Sequence, residues 1–196
     1  PFPEAPWVSS RTLGRRTVVA SPFARFEVHH VQQEDGTVAR DWLWTDERAH
    51  VNILVHLKAE NKYLIFKQTK YGLHGQKYAT VGGLFNPGES PEECARRELL
   101  EETGLRAEAL VSLGGYRVQA DRGGGVLHVF LARNCVPAPM VDRLKSDDYE
   151  KQTIEKKSLE DLIAVIRSGN VGEVQWLATL ALGALYDAHK TGPAGQ

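Results

Sequence analysis

The stretch GGLFNPGESPEECARRELLEETGL (residues 82–105) contains the signals of a helix that begins and ends at defined residues. Ser90 is a good N-cap, the proline after it is tolerated in the first turn, and Glu93 completes a capping box. Gly104 is a typical residue at the C-terminal end of a helix. The pattern therefore predicts a helix over about residues 90–103, preceded by a glycine pair that lets the backbone approach a ligand closely.

The predicted helix carries three glutamates on one side. At about 100° per residue, Glu98, Glu101 and Glu102 fall within an arc of roughly 100°. Like charges at this spacing repel by a few tenths of a kcal/mol per pair, so a bound partner should offset the repulsion. Clustered carboxylates suit Mg²⁺ or Mn²⁺, and protein-bound Mg²⁺ usually also contacts substrate phosphates. The spacing thus indicates a metal and a phosphate-bearing substrate, with a solvated acidic helix face as the alternative.

The rest of the chain reads as strands, the helix, more strands and two further helices. An Asp-Gly pair at residues 35–36 marks a β-hairpin. The predicted strands lie at residues 15–20, 25–31, 38–44, 50–57, 62–68, 77–83, 108–118 and 126–133, and the later helices at 158–169 and 171–190. Residues 134–153 are polar and read as irregular. This order of elements predicts an α/β (α+β) domain, a mixed sheet with helices packed on its faces.

Nine residues of the quoted stretch match a known motif. The stretch resembles the Nudix box, G-x5-E-x7-R-E-U-x-E-E-x-G-U, where U is aliphatic. The matching residues are Gly83, Glu89, Arg97, Glu98, Leu99, Glu101, Glu102, Gly104 and Leu105. Resemblance to the Nudix family implies an α/β/α sandwich with a mixed sheet. It also implies metal-dependent hydrolysis of a nucleoside diphosphate linked to another group.

The resemblance implies a metal site for Mg²⁺ or Mn²⁺. In the family, the glutamates that correspond to Glu98 and Glu102 bind metal, and the one that corresponds to Glu101 usually assists. Gly82 stands where a backbone carbonyl commonly binds metal. The bound cations neutralise charge on the pyrophosphate and activate a water for in-line attack.

Three further residues receive catalytic roles from the resemblance. Arg97 is expected to orient the glutamates by ion pairing, and Glu89 to fix the loop and reach a metal through water. A general base often comes from an acidic loop before the C-terminal helices, which is residues 145–155 here. Glu150 is the first choice for this base and Asp148 the second, while a solvated charged loop is the alternative for either residue.

Most of the chain resembles the ADP-ribose pyrophosphatase (ADP-sugar diphosphatase) branch of the family. The resemblance rests on an N-terminal β arm, then YLIFKQTKYG, the box, and a C-terminal helix pair that contains IRSGNVGEVQWLATLAL. It implies cleavage of an ADP-ribose-like substrate into AMP and a sugar phosphate. The chain lacks the acidic residue that usually precedes the box and the proline that usually follows it. Lys70 stands where the branch often has arginine, so it offers phosphate a point charge without a bidentate fork.

Two other activities remain open at this point. One is a Nudix hydrolase of another nucleoside phosphate, such as a dinucleoside polyphosphate, a nucleoside triphosphate or a capped RNA. The other is a catalytically silent module that binds nucleotide sugars. The complete box argues against the silent module.

The N-terminal arm carries candidate substrate-binding residues. Trp42 and Trp44 alternate along a predicted strand and therefore share one face. In the ADP-ribose branch, aromatic residues of the arm stack on adenine, sometimes across a dimer. Arg40 and Arg48 flank the tryptophans and, with Lys70, are candidates for phosphate binding.

The 196 residues have an ordinary globular composition, 42% hydrophobic and 25% charged, with a formal net charge of −1. No broad basic field is present, so nucleic acid is not expected as a partner. No apolar run approaches the ~20 residues of a membrane span, and two cysteines favour a reducing, cytoplasmic location. We expect residues 1–48 to form the β arm with substrate and dimer contacts, residues 49–196 to form the catalytic domain, and the protein to be a homodimer.

Overall fold

The computed structural model describes residues 2–139 and 152–191, which form eleven strands and three helices. The strands are β1 Thr12–Ala20, β2 Ala24–Gln32, β3 Val38–Glu47, β4 His50–Leu57, β5 Lys62–Gln68, β6 Lys77–Ala79, β7 Val81–Leu84, β8 Leu105–Arg106, β9 Ala109–Gln119, β10 Gly123–Pro137 and β11 Gln152–Lys157. The helices are α1 Pro91–Thr103, α2 Leu159–Arg167 and α3 Val174–Thr191. None of the helices in the described residues is both long and apolar enough to cross a membrane.

The strands form a mixed sheet in the order β1-β2-β3-β10-β4-β5-β11. The long strand β10 runs parallel to β3 and β4 and pairs antiparallel with β9. β7 pairs antiparallel with β4, and β6 with β5, so both short strands lie beside the main path. The two short strands deliver the chain to the N-terminus of α1.

The sheet is covered on both faces, which explains the continuous apolar runs of its central strands. On β4, Val51, Ile53 and Val55 belong to the core on the α1 side, together with Leu99. Leu54 points to the opposite core, which α2 and α3 cover. The predicted α/β/α sandwich with a mixed sheet is therefore confirmed.

The predicted helix is α1, and its ends are the ones that the sequence indicates. The Ser90 hydroxyl accepts a hydrogen bond from the Glu93 N–H, and the Glu93 carboxylate accepts one from the Ser90 N–H. Gly104 ends the helix in the left-handed conformation, with φ at 67°. Cys94, Ala95 and Leu99 are buried against the sheet, while Glu98 and Glu102 lie beside the glycines of β7.

The prediction for the region before α2 was wrong in one respect. Residues 152–157 form β11, an edge strand that pairs antiparallel with β5. Its first two residues belong to the segment 134–153 that was expected to be irregular, and no strand was predicted for the other four. Its sequence QTIEKK has only one apolar residue, because an edge strand in contact with water is usually polar and charged. Periodicity of apolar residues therefore could not reveal it.

The N-terminal strands have buried charged residues on their inner face. Glu27 is fully buried and accepts hydrogen bonds from Arg15 (2.7 Å) and Thr17 (2.8 Å). Arg25 is paired with Asp46, which also accepts a hydrogen bond from the indole N–H of Trp44. Each of these charges has a counter-charge or a donor, as burial requires. This polar interior holds β1, β2 and β3 together.

The tip of the β9–β10 hairpin is docked onto the end of β3. The Thr45 N–H donates to the carbonyl of Arg122 (2.8 Å), and a side chain at Gly123 would collide with the carbonyl of Thr45. Gly123, Gly124 and Gly125 all have positive φ, between 73° and 92°. The glycine run thus allows a close contact between backbones that fixes the junction of β3 and β4 beside the cleft.

Candidate active site

A cleft of about 1040 Å³ lies between the acidic face of α1, the backbone of β7 and the start of α3. Eight residues that the sequence analysis singled out line it: Arg48, Lys70, Gly82, Gly83, Arg97, Glu98, Glu101 and Glu102. Glu89 lies immediately behind this set, in contact with Arg97. The fold therefore brings together all the charged residues of the box.

Arg97 is the centre of the acidic cluster. Its guanidinium binds Glu89 with two hydrogen bonds, from Nε to Oε1 (2.8 Å) and from Nη2 to Oε2 (2.9 Å). Nη1 donates to Glu98 (2.7 Å) and to Glu101 (2.9 Å), while Nη2 also donates to the Leu84 carbonyl (2.9 Å). One cation thus offsets the repulsion among three carboxylates and connects the helix to the loop before it.

The carboxylates differ in their electrostatic surroundings. Hydrogen bonding to Arg97 holds the pKa of Glu89 below its ordinary value. Burial raises the pKa of Glu98, although Arg97 opposes the increase, and the charges of Glu101 and Glu89 add to it. Only 12% of the Glu98 side chain is exposed. A bound cation stabilises an ionised carboxylate most strongly where burial and neighbouring negative charges destabilise that carboxylate.

Two glycines shape the wall opposite the carboxylates. The N–H of Gly82 donates to Oε2 of Glu102 (3.0 Å). A side chain at Gly83 would collide with the carboxylate of Glu98. A side chain at Gly82 would collide with the backbone carbonyl of Val51 on the neighbouring strand. The glycine pair therefore keeps the backbone of β7 within reach of both Glu98 and Glu102.

The donor atoms of the cleft residues are chemically suited to a hard divalent cation. Glu98, Glu101 and Glu102 offer carboxylate oxygens beside the glycine backbone of β7, and oxygen donors of this kind suit Mg²⁺ and Mn²⁺. Among residues 2–139 and 152–191, no three His, Cys, Asp or Glu side chains are arranged to hold an ion as they stand. Glu98 and Glu101 face Arg97 in this structure.

The three cationic residues that were proposed to bind phosphate do not all lie in the cleft. Arg48 lines the cleft and donates to the carbonyl of Phe85, and Lys70 lines it from the loop after β5. Arg40 is exposed on β3 and does not line the cleft. Arg48 and Lys70 therefore have the position for phosphate contacts within one protomer.

The two tryptophans lie outside the cleft. Trp44 is only 3% exposed and its ring stacks on Trp7, with ring centroids 4.3 Å apart. Trp42 is half-buried, donates its indole N–H to the Asp121 carbonyl (2.8 Å) and lies under the guanidinium of Arg122. They share one face of β3, but within the described protomer they form no clamp that opens to the cleft.

The proposed general base cannot be placed, because Glu150 and Asp148 lie outside the described residues. The described end of the same segment, residues 152–155, belongs to β11. There Glu155 pairs with Lys157 (2.7 Å), which lowers the pKa of Glu155, and it does not line the cleft.

Other residues of the cleft were not predicted from the sequence. Phe23, in the turn between β1 and β2, lies at the rim with 66% of its surface exposed. His50 lies at the start of β4, and Gln175, which contacts its ring nitrogen (2.7 Å), lies in α3. Glu173 and Trp176 also line the cleft from this end of α3. No spacing rule joins these residues, because they come from separate elements.

Comparison with known proteins gives a family and several relatives. A family model described as NUDIX domain matches residues 46–180, about two thirds of the chain. The chain is 29% identical over 112 residues to an ADP-ribose pyrophosphatase of Bacillus subtilis, covering 57% of this chain and 60% of that protein. It is 30% identical over 99 residues to a GDP-mannose pyrophosphatase of Yersinia enterocolitica, covering 50% of each.

Two further similarities concern a third relative and the fold. The chain is 33% identical over 85 residues to an oxidized purine nucleoside triphosphate hydrolase of Danio rerio, covering 42% of this chain and 52% of that protein. The matched regions thus span only about half to 60% of the length of these three relatives. A crystal structure of an ADP compounds hydrolase superposes with a TM-score of 0.77 at 20% identity, over 92% of this chain and 95% of that one.

Proposed function

Because the chain belongs to the NUDIX domain family, we propose that it hydrolyses the pyrophosphate bond of a nucleoside diphosphate sugar. The proposed substrate is ADP-ribose-like, and the products are AMP and a sugar phosphate. One observation carries the proposal: the acidic cluster around Arg97 and the cations Arg48 and Lys70 line the same cleft. Carboxylates for a metal and cations for phosphate are the two requirements of pyrophosphate hydrolysis.

In the proposed mechanism, Glu98 and Glu102 hold Mg²⁺ or Mn²⁺, with Glu101 and the carbonyl of Gly82 as further donors. When bound, the metal supplies Lewis-acid stabilisation of the phosphate charge and lowers the pKa of a bound water. Arg97 and Glu89 hold the glutamates in position through the contacts described above. Arg48 and Lys70 bind the non-bridging phosphate oxygens and keep the pyrophosphate near the carboxylates.

Two features support a nucleotide sugar as the substrate class. The cleft has room for a ligand of this size, since its volume of about 1040 Å³ is at the upper end of small-molecule sites. Two of the relatives act, by their names, on ADP-ribose and GDP-mannose, whereas the third acts on a triphosphate.

A substrate panel tests this choice. The protein is incubated with ADP-ribose, ADP-glucose, GDP-mannose, a diadenosine polyphosphate, a nucleoside triphosphate and a capped RNA, and the products are separated by chromatography. We expect the highest kcat/KM with a nucleoside diphosphate sugar. The substrate assignment would be wrong if the best substrate were a triphosphate, a dinucleoside polyphosphate or a capped RNA. The protein would then still be a Nudix hydrolase. Binding of ADP-ribose without any turnover would favour a silent binding module.

Phe23 is an exposed aromatic residue at the rim of the cleft, whereas Trp176 is buried, so Phe23 has the position to stack on a nucleobase within one protomer. Its turn is held by the Ser21 hydroxyl, which accepts hydrogen bonds from the N–H groups of Phe23 (3.2 Å) and Ala24 (3.1 Å). Stacking on one base contributes about 1–3 kcal/mol. Phe23→Ala should therefore raise KM for ADP-ribose about 5- to 100-fold, with little change in kcat. The control is Leu13→Ala, since Leu13 is an apolar residue outside the cleft with a similar exposure of 58%. An unchanged KM in Phe23→Ala would exclude the stacking role.

We also propose that the β arm joins two copies of this chain. The outer face of the arm exposes large apolar residues, among them Val19 (55%), Phe26 (46%) and Leu43 (61%). The charged residues of β2 point inward instead, so the arm presents its apolar side to its surroundings. An interface with an apolar centre would cover this face.

Sedimentation at micromolar concentration tests the dimer. We expect a dimer for the wild-type protein and a monomer for Leu43→Glu, since an unpaired charge at an apolar interface is costly. A wild-type monomer would contradict the dimer. In this proposal residues 1–48 supply dimer and substrate contacts and residues 49–196 the catalytic domain. The cytoplasmic location stays a prediction from the sequence.

A further inference from the structure

The start of α3 is fixed beside the cleft by backbone contacts with β6. The N–H of Tyr78 donates to the carbonyl of Asn170 (2.9 Å), and the N–H of Gly172 donates to the carbonyl of Tyr78 (3.3 Å). Glu173 follows directly, and its carbonyl accepts a hydrogen bond from the N–H of Leu177 (3.0 Å) at the first turn of the helix. The backbone of Glu173 is therefore held on both sides, and its side chain projects from an anchored position.

The carboxylate of Glu173 shares the cleft with the acidic face of α1. Its side chain is exposed to the solvent of the cleft, and within residues 2–139 and 152–191 it forms no hydrogen bond or ion pair. Partial enclosure by the cleft raises the pKa of Glu173, while electrostatic interactions with His50 from β4 and Lys70 from the loop after β5 oppose the increase. Glu173 is thus a carboxylate that can take up a proton at the substrate site.

The three carboxylates that α1 contributes to the cleft are engaged differently. Glu98 and Glu101 accept hydrogen bonds from Arg97, and Glu102 accepts one from the N–H of Gly82. A carboxylate whose oxygens are directed to a guanidinium or to a bound cation has fewer lone pairs left to accept a proton from the attacking water, and it is therefore a poor base. Because the glutamates of α1 are occupied by these contacts, we look for the group that accepts the proton among the carboxylates outside α1.

We propose that Glu173 is the general base of the hydrolysis, an inference that rests on the proposed function. Glu173 takes a proton from the attacking water as the water oxygen bonds to phosphorus. The bond between that phosphorus and the bridging oxygen breaks, and the electron pair stays on the leaving phosphate. The proton on Glu173 then passes to solvent or to the departing phosphate, which restores the carboxylate.

The test compares Glu173→Gln, Glu173→Asp and Glu150→Gln with the wild-type protein on ADP-ribose. We expect Glu173→Gln to reduce kcat by about 10²–10⁴-fold with KM nearly unchanged. Its residual rate should increase about tenfold per pH unit as hydroxide replaces the missing base. Glu173→Asp should keep an intermediate rate, and the Mn²⁺ dissociation constant of all three variants, measured by electron paramagnetic resonance, should match that of the wild type.

Glu160→Gln on the exposed face of α2 is the matched control and should behave as the wild type. A Glu173→Gln protein with a kcat within about threefold of the wild type would overturn the inference. A parallel loss of Mn²⁺ affinity would also overturn it, because Glu173 would then be a metal ligand. A 10²-fold or larger loss in Glu150→Gln alone would assign the base to Glu150 instead. If the wild-type protein hydrolyses no nucleotide in this experiment, the result contradicts the proposed function itself, and it is thereby distinguished from a wrong assignment of the base.

Discussion

Glu102→Gln should reduce kcat for the preferred nucleotide by about 10³-fold, which corresponds to about 4 kcal/mol of lost charge stabilisation in the transition state. The substitution removes the negative charge but keeps the size of the side chain. A glutamine oxygen can still accept the hydrogen bond that the Gly82 N–H donates to Glu102 (3.0 Å). Folding should therefore be preserved while metal binding is lost. Steady-state kinetics and Mn²⁺ titration of the same protein samples separate the two effects.

The matched control for Glu102→Gln is Glu92→Gln in the same helix. Glu92 is exposed in the first turn of α1 and pairs only with Arg96 (2.7 Å) among the described residues, away from the cleft. This variant should keep the wild-type rate and the wild-type Mn²⁺ affinity. A Glu102→Gln protein that retains more than about a tenth of the wild-type kcat would contradict the assignment of Glu102 as a metal ligand.

Arg97→Ala should impair both stability and activity. The substitution removes the one guanidinium that pairs with Glu89, Glu98 and Glu101 and leaves their charges close together. Because 21% of the Arg97 side chain is exposed, solvent screens part of the effect. We expect a loss of about 2–3 kcal/mol in the free energy of unfolding, less than for a fully buried pair. Misplacement of Glu98 should lower kcat/KM by about 10²-fold.

Urea denaturation and steady-state kinetics measure these two effects. Arg97→Lys should recover only part of each, since lysine cannot form the two-pronged contact with Glu89. Arg96→Ala, one residue earlier on the exposed side of α1, removes a surface pair with Glu92 and should cost at most about 0.5 kcal/mol. Equal effects of Arg96→Ala and Arg97→Ala would show that the cluster is no more than a solvated helix face.

The parts of the fold that the sequence predicts well are governed by local chemistry. The ends of α1 follow from Ser90, Glu93 and Gly104, which act within a few residues of one another. The central strands could be recognised because burial on both faces requires continuous apolar runs. β11 could not be recognised, because this edge strand forms through its pairing with the distant strand β5 and, in contact with water, has a polar sequence.

The same distinction between local sequence signals and long-range packing applies to the candidate site. Its acidic half comes from one helix, so the spacing of Glu98, Glu101 and Glu102 predicts their common face. Period-two geometry placed Trp42 and Trp44 on one face of β3, but it could not show that Trp7 would cover Trp44. Phe23 and Glu173 reach the cleft only through the packing of distant segments. Such residues carry no periodic signal in the chain.

The most direct test of the account is the metal-dependent turnover of ADP-ribose. The protein is incubated with ADP-ribose and Mg²⁺, Mn²⁺ or EDTA, and AMP and ribose 5-phosphate are measured by chromatography, with Glu102→Gln in parallel. The account predicts equal amounts of the two products with either metal, no product with EDTA, and a rate about 10³-fold lower with the variant. Equal product formation with EDTA, or by Glu102→Gln, would contradict the claim that the cluster around Arg97 is a metal-dependent hydrolytic centre.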